Sequence, residues 1–252
     1  TTDLLFNVPT AAGTALSNFI TTNIGSVQNR GFEFSIDARV FEARQKGGFS
    51  YDANFNASTN KNRLLSIDRP GITQIRAGGI AGGVGTTIQV LQAGVPINSF
   101  LVYHQIGDTA GVPIYKDMNG DTIINALDLR PFHSAAPTWI LGHTSNFAWH
   151  GFDLSTTLRA YLGNYVYNNV ASNLGHYSVL SGSAPVALHA SALKTGFVDA
   201  QYFSDIYVEK ASFLSMDNLT LGYTFDRLAN VANARVFGTV QNAFTITGYS
   251  GV

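Results

Sequence analysis

The sequence predicts an all-β protein: an antiparallel transmembrane β-barrel segment of about six strands with long extracellular loops. Three observations predict it. Stretches of about ten residues alternate apolar with polar side chains, the period that places one set on each face of a sheet. The links between these stretches are alternately short and long, the pattern of tight turns on one side of a membrane and loops on the other. Charged residues make up only 12% of the 252-residue chain, about half the roughly 25% usual in soluble domains. Lipid on one side of a wall removes the need for a fully charged surface.

The first strand is expected near residues 31–42, with Phe32, Phe34, Ile36, Ala38 and Val40 on one face. Glu33, Ser35, Asp37 and Arg39 fall on the other. The run Arg44-Gln45-Lys46-Gly47-Gly48 makes a turn into a second strand near 48–59. There Phe49, Tyr51, Ala53, Phe55 and Ala57 oppose Ser50, Asp52, Asn54, Asn56 and Ser58. A long loop over 60–137 leads to a third strand near 138–149. The two residues His150-Gly151 then turn the chain into a fourth near 151–163. In it Phe152, Leu154, Thr156, Leu158, Ala160 and Leu162 alternate with Asp153, Ser155, Thr157, Arg159 and Tyr161. A second long loop over 164–210 precedes strands near 211–225 and 234–246. Trp139, Phe147, Trp149, Phe152, Tyr161, Tyr165 and Tyr167 gather near strand ends, where aromatic girdles sit at membrane interfaces.

Several function classes are disfavoured. The net charge of −1 provides no basic excess for nucleic acid. With no cysteine there is no disulfide framework, thiolate metal site or cysteine nucleophile. Residues 77–103 carry no formal charge, but their glycines and polar side chains disqualify them as a membrane helix. The start, Thr-Thr-Asp-Leu-Leu-Phe, lacks the pattern of a signal peptide, so the chain is expected to begin and end within a longer protein. The glycine-rich run from Gly78 to Thr87 is followed by no lysine and reads as a flexible loop, not a phosphate cradle. The six histidines form no metalloprotease motif, no Gly-x-Ser-x-Gly elbow occurs, and no catalytic residue is nominated.

Two sets of residues are candidates for binding. Asp117, Asn119, Asp121, the Ile123 carbonyl, Asn125 and Asp128 occupy positions 1, 3, 5, 7, 9 and 12 of an EF-hand-type calcium loop. Thr122 stands where the sharp turn prefers glycine, and Asp128 where a longer glutamate would chelate in bidentate fashion. The other reading is an Asx-rich turn with solvated carboxylates. For solute, the lumen-facing Asp52, Asn54, Asn56, Asp153 and Arg159 are candidates, with the loop aromatics Tyr103, Tyr115, Tyr165 and Tyr167 available to stack on sugar rings. Polar filler around a plug and interfacial anchoring are the alternative roles of these residues.

The chain resembles the late barrel region of SusC/RagA-type TonB-dependent outer-membrane transporters of Bacteroidetes. The run from Asn23 to Glu33 is similar to the family's N-I-G-x-x-x-N-x-G-x-E strand start, and Gly94 to Phe100 to its G-x-P-I-x-x-F segment. Gly111 to Asp121 and the Ala136-Pro137-Thr138-Trp139 strand start follow. Ala211 to Tyr223 resembles A-S-F-L-R-L-x-N-L-T-L-G-Y, and Gln241 to Gly251 resembles Q-N-L-F-x-x-T-x-Y-x-G. The resemblance implies a barrel of roughly 22 strands in a Gram-negative outer membrane. It also implies an N-terminal plug and TonB box, neither present in this chain, and a SusD-like lipoprotein lid. The expected role is active import of glycans or peptides. The alternative is a secreted β-rich carbohydrate-binding or adhesion module with structural Ca²⁺.

Overall fold

The computed structural model describes residues 5–9, 19–23, 25–68, 70–80, 87–181, 186–228 and 232–251. Six long strands form one antiparallel sheet, the wall: Gly25–Phe41, Ser50–Ile67, Trp139–Trp149, Phe152–Leu162, Phe213–Leu228 and Ala232–Thr247. Each pairs with its neighbour in sequence order, so the sheet is a meander. The two-residue turn that links the third and fourth strands has φ +48° at His150 and +87° at Gly151, the positive values a tight hairpin turn requires. A Cβ at Gly151 would also lie 2.9 Å from the Thr224 carbonyl oxygen, so glycine is required twice over.

The register carries the sequence alternation across the whole wall. One row runs Ile36, Phe55, His143, Leu158, Met216 and Phe244 from strand to strand. The adjacent row, on the opposite face, runs Asp37, Asn54, Thr144, Thr157, Asn218 and Gln241. The sheet thus has an apolar face and a polar face, and the apolar one is uncovered. Phe32 is 63% exposed, Ile36 49% and Val236 66%. Trp139 and Trp149 close the two ends of the third strand on this face. Ten residue steps at about 3.3 Å, tilted by about 40°, span roughly 25 Å, the height of a barrel's apolar band. His143 is a titratable side chain on this otherwise largely apolar face. Its Nε2 lies 2.8 Å from Ser145 Oγ, which in turn lies 3.2 Å from the Tyr51 hydroxyl, so the three satisfy one another.

Four strands extend beyond the expected bounds. The first begins at Gly25, six residues before residue 31, and the second runs on to Ile67, eight beyond residue 59. The last two start or end a few residues outside 211–225 and 234–246. Alternation stops at Gly31 because Gln28, Asn29 and Arg30 pair with Arg63, Asn62 and Lys61, leaving both faces polar above the apolar band. Period-two reading has nothing to detect there.

The two long excursions are not plain loops. The first, expected over 60–137, folds into a four-stranded sheet of Arg130–Ser134, Ser99–Val102, Thr87–Gln92 and Gln74–Gly79. A hairpin of Gln105–Thr109 and Val112–Tyr115 follows from the same segment. Within the glycine-rich run, Gly78 and Gly79 end a strand, and residues 81–86 lie outside the described residues. The second excursion, expected over 164–210, contributes paired strands Tyr165–Tyr167 and Val208–Lys210 and a helix over Asn169–Leu174. The two join in one core: Phe100 and Val102 from the first pack with Tyr167, Ala171, Phe197 and Tyr207 from the second. We call this joint unit the cap. It is tied to the wall through Leu64, whose N–H donates to Val95 and whose carbonyl accepts from Gly94. A small cluster of Val27, Leu64 and Leu91 packs beside that junction.

Candidate functional site

The polar face of the wall is cross-linked by charge. Arg39 Nε donates to Asp52 at 3.1 Å, and Asn54 Nδ2 to Asp37 at 2.6 Å. Arg235 grips Asp153 through two N–H groups at 3.0 and 2.5 Å. Arg159 reaches Asp217 at 3.1 Å and lies over the rings of Tyr161 and Phe213. Asp217 is available because the ladder bulges there: Thr157 pairs with Asn218 and Leu158 with Met216, leaving Asp217 unmatched. The five polar candidates on the wall therefore share one face, Asn56 donating to the Asn54 side-chain oxygen at 3.4 Å. Each has a partner, and the partners Arg39, Asp37, Arg235 and Asp217 lie on other strands. Register, once known, identifies all four.

The aromatic candidates lie elsewhere. Tyr103 is buried, not a free loop ring: it stacks on Tyr202 at 4.8 Å and meets Phe203 and Tyr115 at 5.3 and 5.8 Å. The reason is backbone pairing. Tyr103 N–H donates to Phe203 and its carbonyl accepts from Asp205, which draws the ring between the two excursions. Tyr115 is half-buried in the same cluster, and burial pushes the hydroxyl proton of each ring above the ordinary tyrosine range. Tyr167 is buried against Ser172, and Tyr165 stacks on His133 at 3.8 Å. Tyr202, 48% exposed, presents the open ring of the Tyr103 cluster. Tyr202 stands beside Phe203 in a stretch with no strand alternation, so the sequence does not mark which of the two rings stays open.

Beneath this cluster the two excursions are bolted together by charge. Asp205 Oδ2 lies 2.6 Å from His104 Nδ1 and accepts from Arg130 at 2.8 Å, while its Oδ1 accepts the Gln105 N–H at 3.0 Å. The carboxylate, from the second excursion, is largely buried, and its three partners all come from the first.

The acidic loop is brought together in part. Asp121 Oδ2 accepts from Asn119 Nδ2 at 2.8 Å and faces Asn125 Nδ2 at 3.5 Å, and the latter also donates to the Ile123 carbonyl at 3.2 Å. Two amide NH₂ groups thus stand among the oxygens that would face a cation. Asp117 instead accepts the N–H groups of Gly120 and Thr122, and Asp128 those of Met118 and Asn125. Asp128 has no solvent exposure, because its own loop folds over it. The Asn125 and Met118 N–H groups hold its carboxyl below the usual carboxylate range. Thr122 adopts φ +66°, the left-handed conformation the sixth position of such loops demands, without the glycine that adopts it freely. Among the described residues, no group of three histidine or acidic side chains converges in a cation cage. Binding Ca²⁺ would require the Asn119 and Asn125 amides to present their oxygens.

No protein-family profile matches the chain. It is 35% identical to the TonB-dependent receptor SusC of Bacteroides thetaiotaomicron over 267 aligned residues, covering all of this chain and 26% of that receptor. Its structure superposes on that of the RagAB peptide transporter with a TM-score of 0.80 at 19% identity, covering 98% of this chain and 28% of that one. The chain is a SusC/RagA-like barrel segment. A second relative, the TonB-dependent receptor P3 of Formosa agariphila, is 24% identical over the full chain and 27% of its own length. The chain therefore spans about a quarter of the relatives it matches.

Proposed function

We propose that the chain forms part of the wall and mouth of an outer-membrane active importer of glycans or peptides. One observation carries the reading. A single sheet exposes a continuous apolar face, while its opposite face is a ladder of paired polar groups. A soluble carbohydrate-binding module would have to cover that apolar face, whereas lipid covers it without further protein. The relatives are named as receptors and transporters, which supports a carrier over an enzyme.

On this reading the polar face lines the lumen. Asp52, Asn54, Asp153 and Arg159 meet solute or plug as pre-paired groups, and the exposed ring of Tyr202, backed by Tyr103 and Tyr115, meets it at the mouth. Energy would come from the TonB complex through an N-terminal region outside this chain, and the mouth would be closed by a SusD-like lipoprotein. Uptake of labelled oligosaccharide or peptide by cells whose receptor carries Tyr202→Ala and Arg159→Gln tests this. Reduced uptake at unchanged receptor abundance supports the assignment, and unchanged uptake of every solute the receptor carries contradicts it.

Ca²⁺ in the loop of Asp117, Asn119, Asp121, Ile123, Asn125 and Asp128 is part of the same proposal, as a brace that stiffens the mouth. Calorimetric titration of the receptor with Ca²⁺ tests it. Heat of binding lost in Asp121→Ala supports the brace, and no heat at millimolar Ca²⁺ removes it.

A further inference from the structure

Just beyond the apolar band, the outward face of the wall carries three cations together. Arg30 and Lys61 lie directly opposite each other on adjacent strands, and Arg63 lies one row further out, opposite Gln28. They share a face with Phe32, which pairs with Thr59, and with Trp139, which pairs with Thr59 from the other side. All three are exposed. Like charges placed opposite one another destabilise a sheet, yet among the described residues no hydrogen bond or ion pair engages the side chain of Arg30 or Lys61. Arg63 is aimed by its own bond, Nε donating to the Gly94 carbonyl at 2.9 Å. The three line a groove of about 500 Å³ whose other walls include Pro96, Ala136 and Pro137, with no carboxylate among its lining residues.

We propose that this groove binds the phosphate-bearing headgroup of a membrane lipid. The inference rests on the reading above that the apolar face meets lipid. Three facts select the occupant. The cations face outward, on the side of the sheet opposite the ion-paired polar ladder, so solute in the lumen does not reach them. Arg30 and Lys61 stand one same-face pair beyond Phe32 and Trp139, and Arg63 two, the level at which headgroups lie when such rings mark the interface. Their charge matches phosphate, which guanidinium binds through paired N–H donors and lysine as a point charge. The proline and alanine walls suit the first carbons of a lipid better than a free ion. An anionic headgroup would also offset the Arg30–Lys61 repulsion, so site and ligand stabilise each other.

The test uses the receptor that carries this chain, purified in a non-ionic detergent. Three probes are offered: diphosphoryl lipid A, the same lipid stripped of phosphate, and inorganic phosphate. At about 1 kcal/mol per cation near a headgroup, the double variant Arg30→Gln/Lys61→Gln should weaken diphosphoryl lipid A binding on the order of 30-fold. The charge-preserving exchange Arg30→Lys/Lys61→Arg should retain most of the binding, and phosphate-free lipid should bind wild type and variant equally weakly. Unchanged affinity in the double variant overturns the proposal, as does equally tight binding of phosphate-free lipid. Inorganic phosphate binding as tightly as the lipid overturns it in favour of a soluble anion site. Removing two opposed like charges does not threaten folding, and heat-dependent migration of the variants in SDS gels verifies the barrel. A receptor that stays monodisperse without detergent would instead overturn the membrane-wall reading itself.

Discussion

The wall and the cap are built from the same chain by opposite rules. In the cap, large apolar side chains go inside: Phe197 is 1% exposed and Val102 0%. In the wall they go outside, with Phe32 and Val236 each more than three-fifths exposed, while the polar groups pair with one another on the inner face. A single sequence meets two solvents. Burial therefore says where the core lies only in the cap; in the wall, on the proposed membrane reading, it says where lipid would lie.

This contrast can be broken from either side. The largest effect is expected in the cap, where Phe197→Ala removes a fully enclosed ring and should cost about 3–5 kcal/mol. Limited proteolysis of the two excursions would report it, with strand-protected fragments unaffected. In the wall, Ile36→Arg places a cation in the apolar row and should cost about 2–4 kcal/mol in a bilayer. Its sequence neighbour Ser35→Arg, on the polar face beside Glu33 and Asp37, should stay within about 0.5 kcal/mol. Urea titration of receptor refolded into lipid vesicles measures both.

Smaller effects come from polar groups. Asp205→Asn leaves Arg130 and His104 without their shared carboxylate and should loosen the two excursions by about 1.5–3 kcal/mol, read as faster hydrogen exchange at Gln105 and Tyr207. Asp128, whose carboxyl is held below its ordinary range, stabilises its loop above the unfolded carboxylate pKa. That contribution is lost as pH falls through the lowered folded value, so cleavage within 117–128 should rise only at strongly acid pH, and Asp128→Asn should abolish the dependence. Smallest is the Arg235–Asp153 pair, partly exposed to the lumen, where a double-mutant cycle should give about 0.2–1 kcal/mol.

The wall was legible in the sequence because a half-lipid, half-water sheet enforces period two on every strand. Ile36, Phe55 and Leu158 announce the row they occupy before any register is known. The cap was opaque because its short strands, such as Ser99–Val102, are buried on both faces and show no alternation. The candidate site divides in the same way. Alternation puts Asp52, Asn54, Asn56, Asp153 and Arg159 together on the polar face, but their partners needed register and, for Asp217, a bulge. Tyr103 read as a loop ring because the contact that buries it comes from residues 202–205, a hundred positions away.

The central claim is that alternate residues of one strand face lipid and water. Because the chain has no cysteine, single cysteines introduced from position 32 to position 40 can each carry a nitroxide label without background. Accessibility to oxygen, which partitions into lipid, and to a water-soluble nickel chelate would be measured in vesicles. The account predicts that oxygen wins at 32, 34, 36, 38 and 40 and the chelate at 33, 35, 37 and 39, in strict alternation. Equal accessibility at neighbouring positions, or the two series reversed, would contradict it.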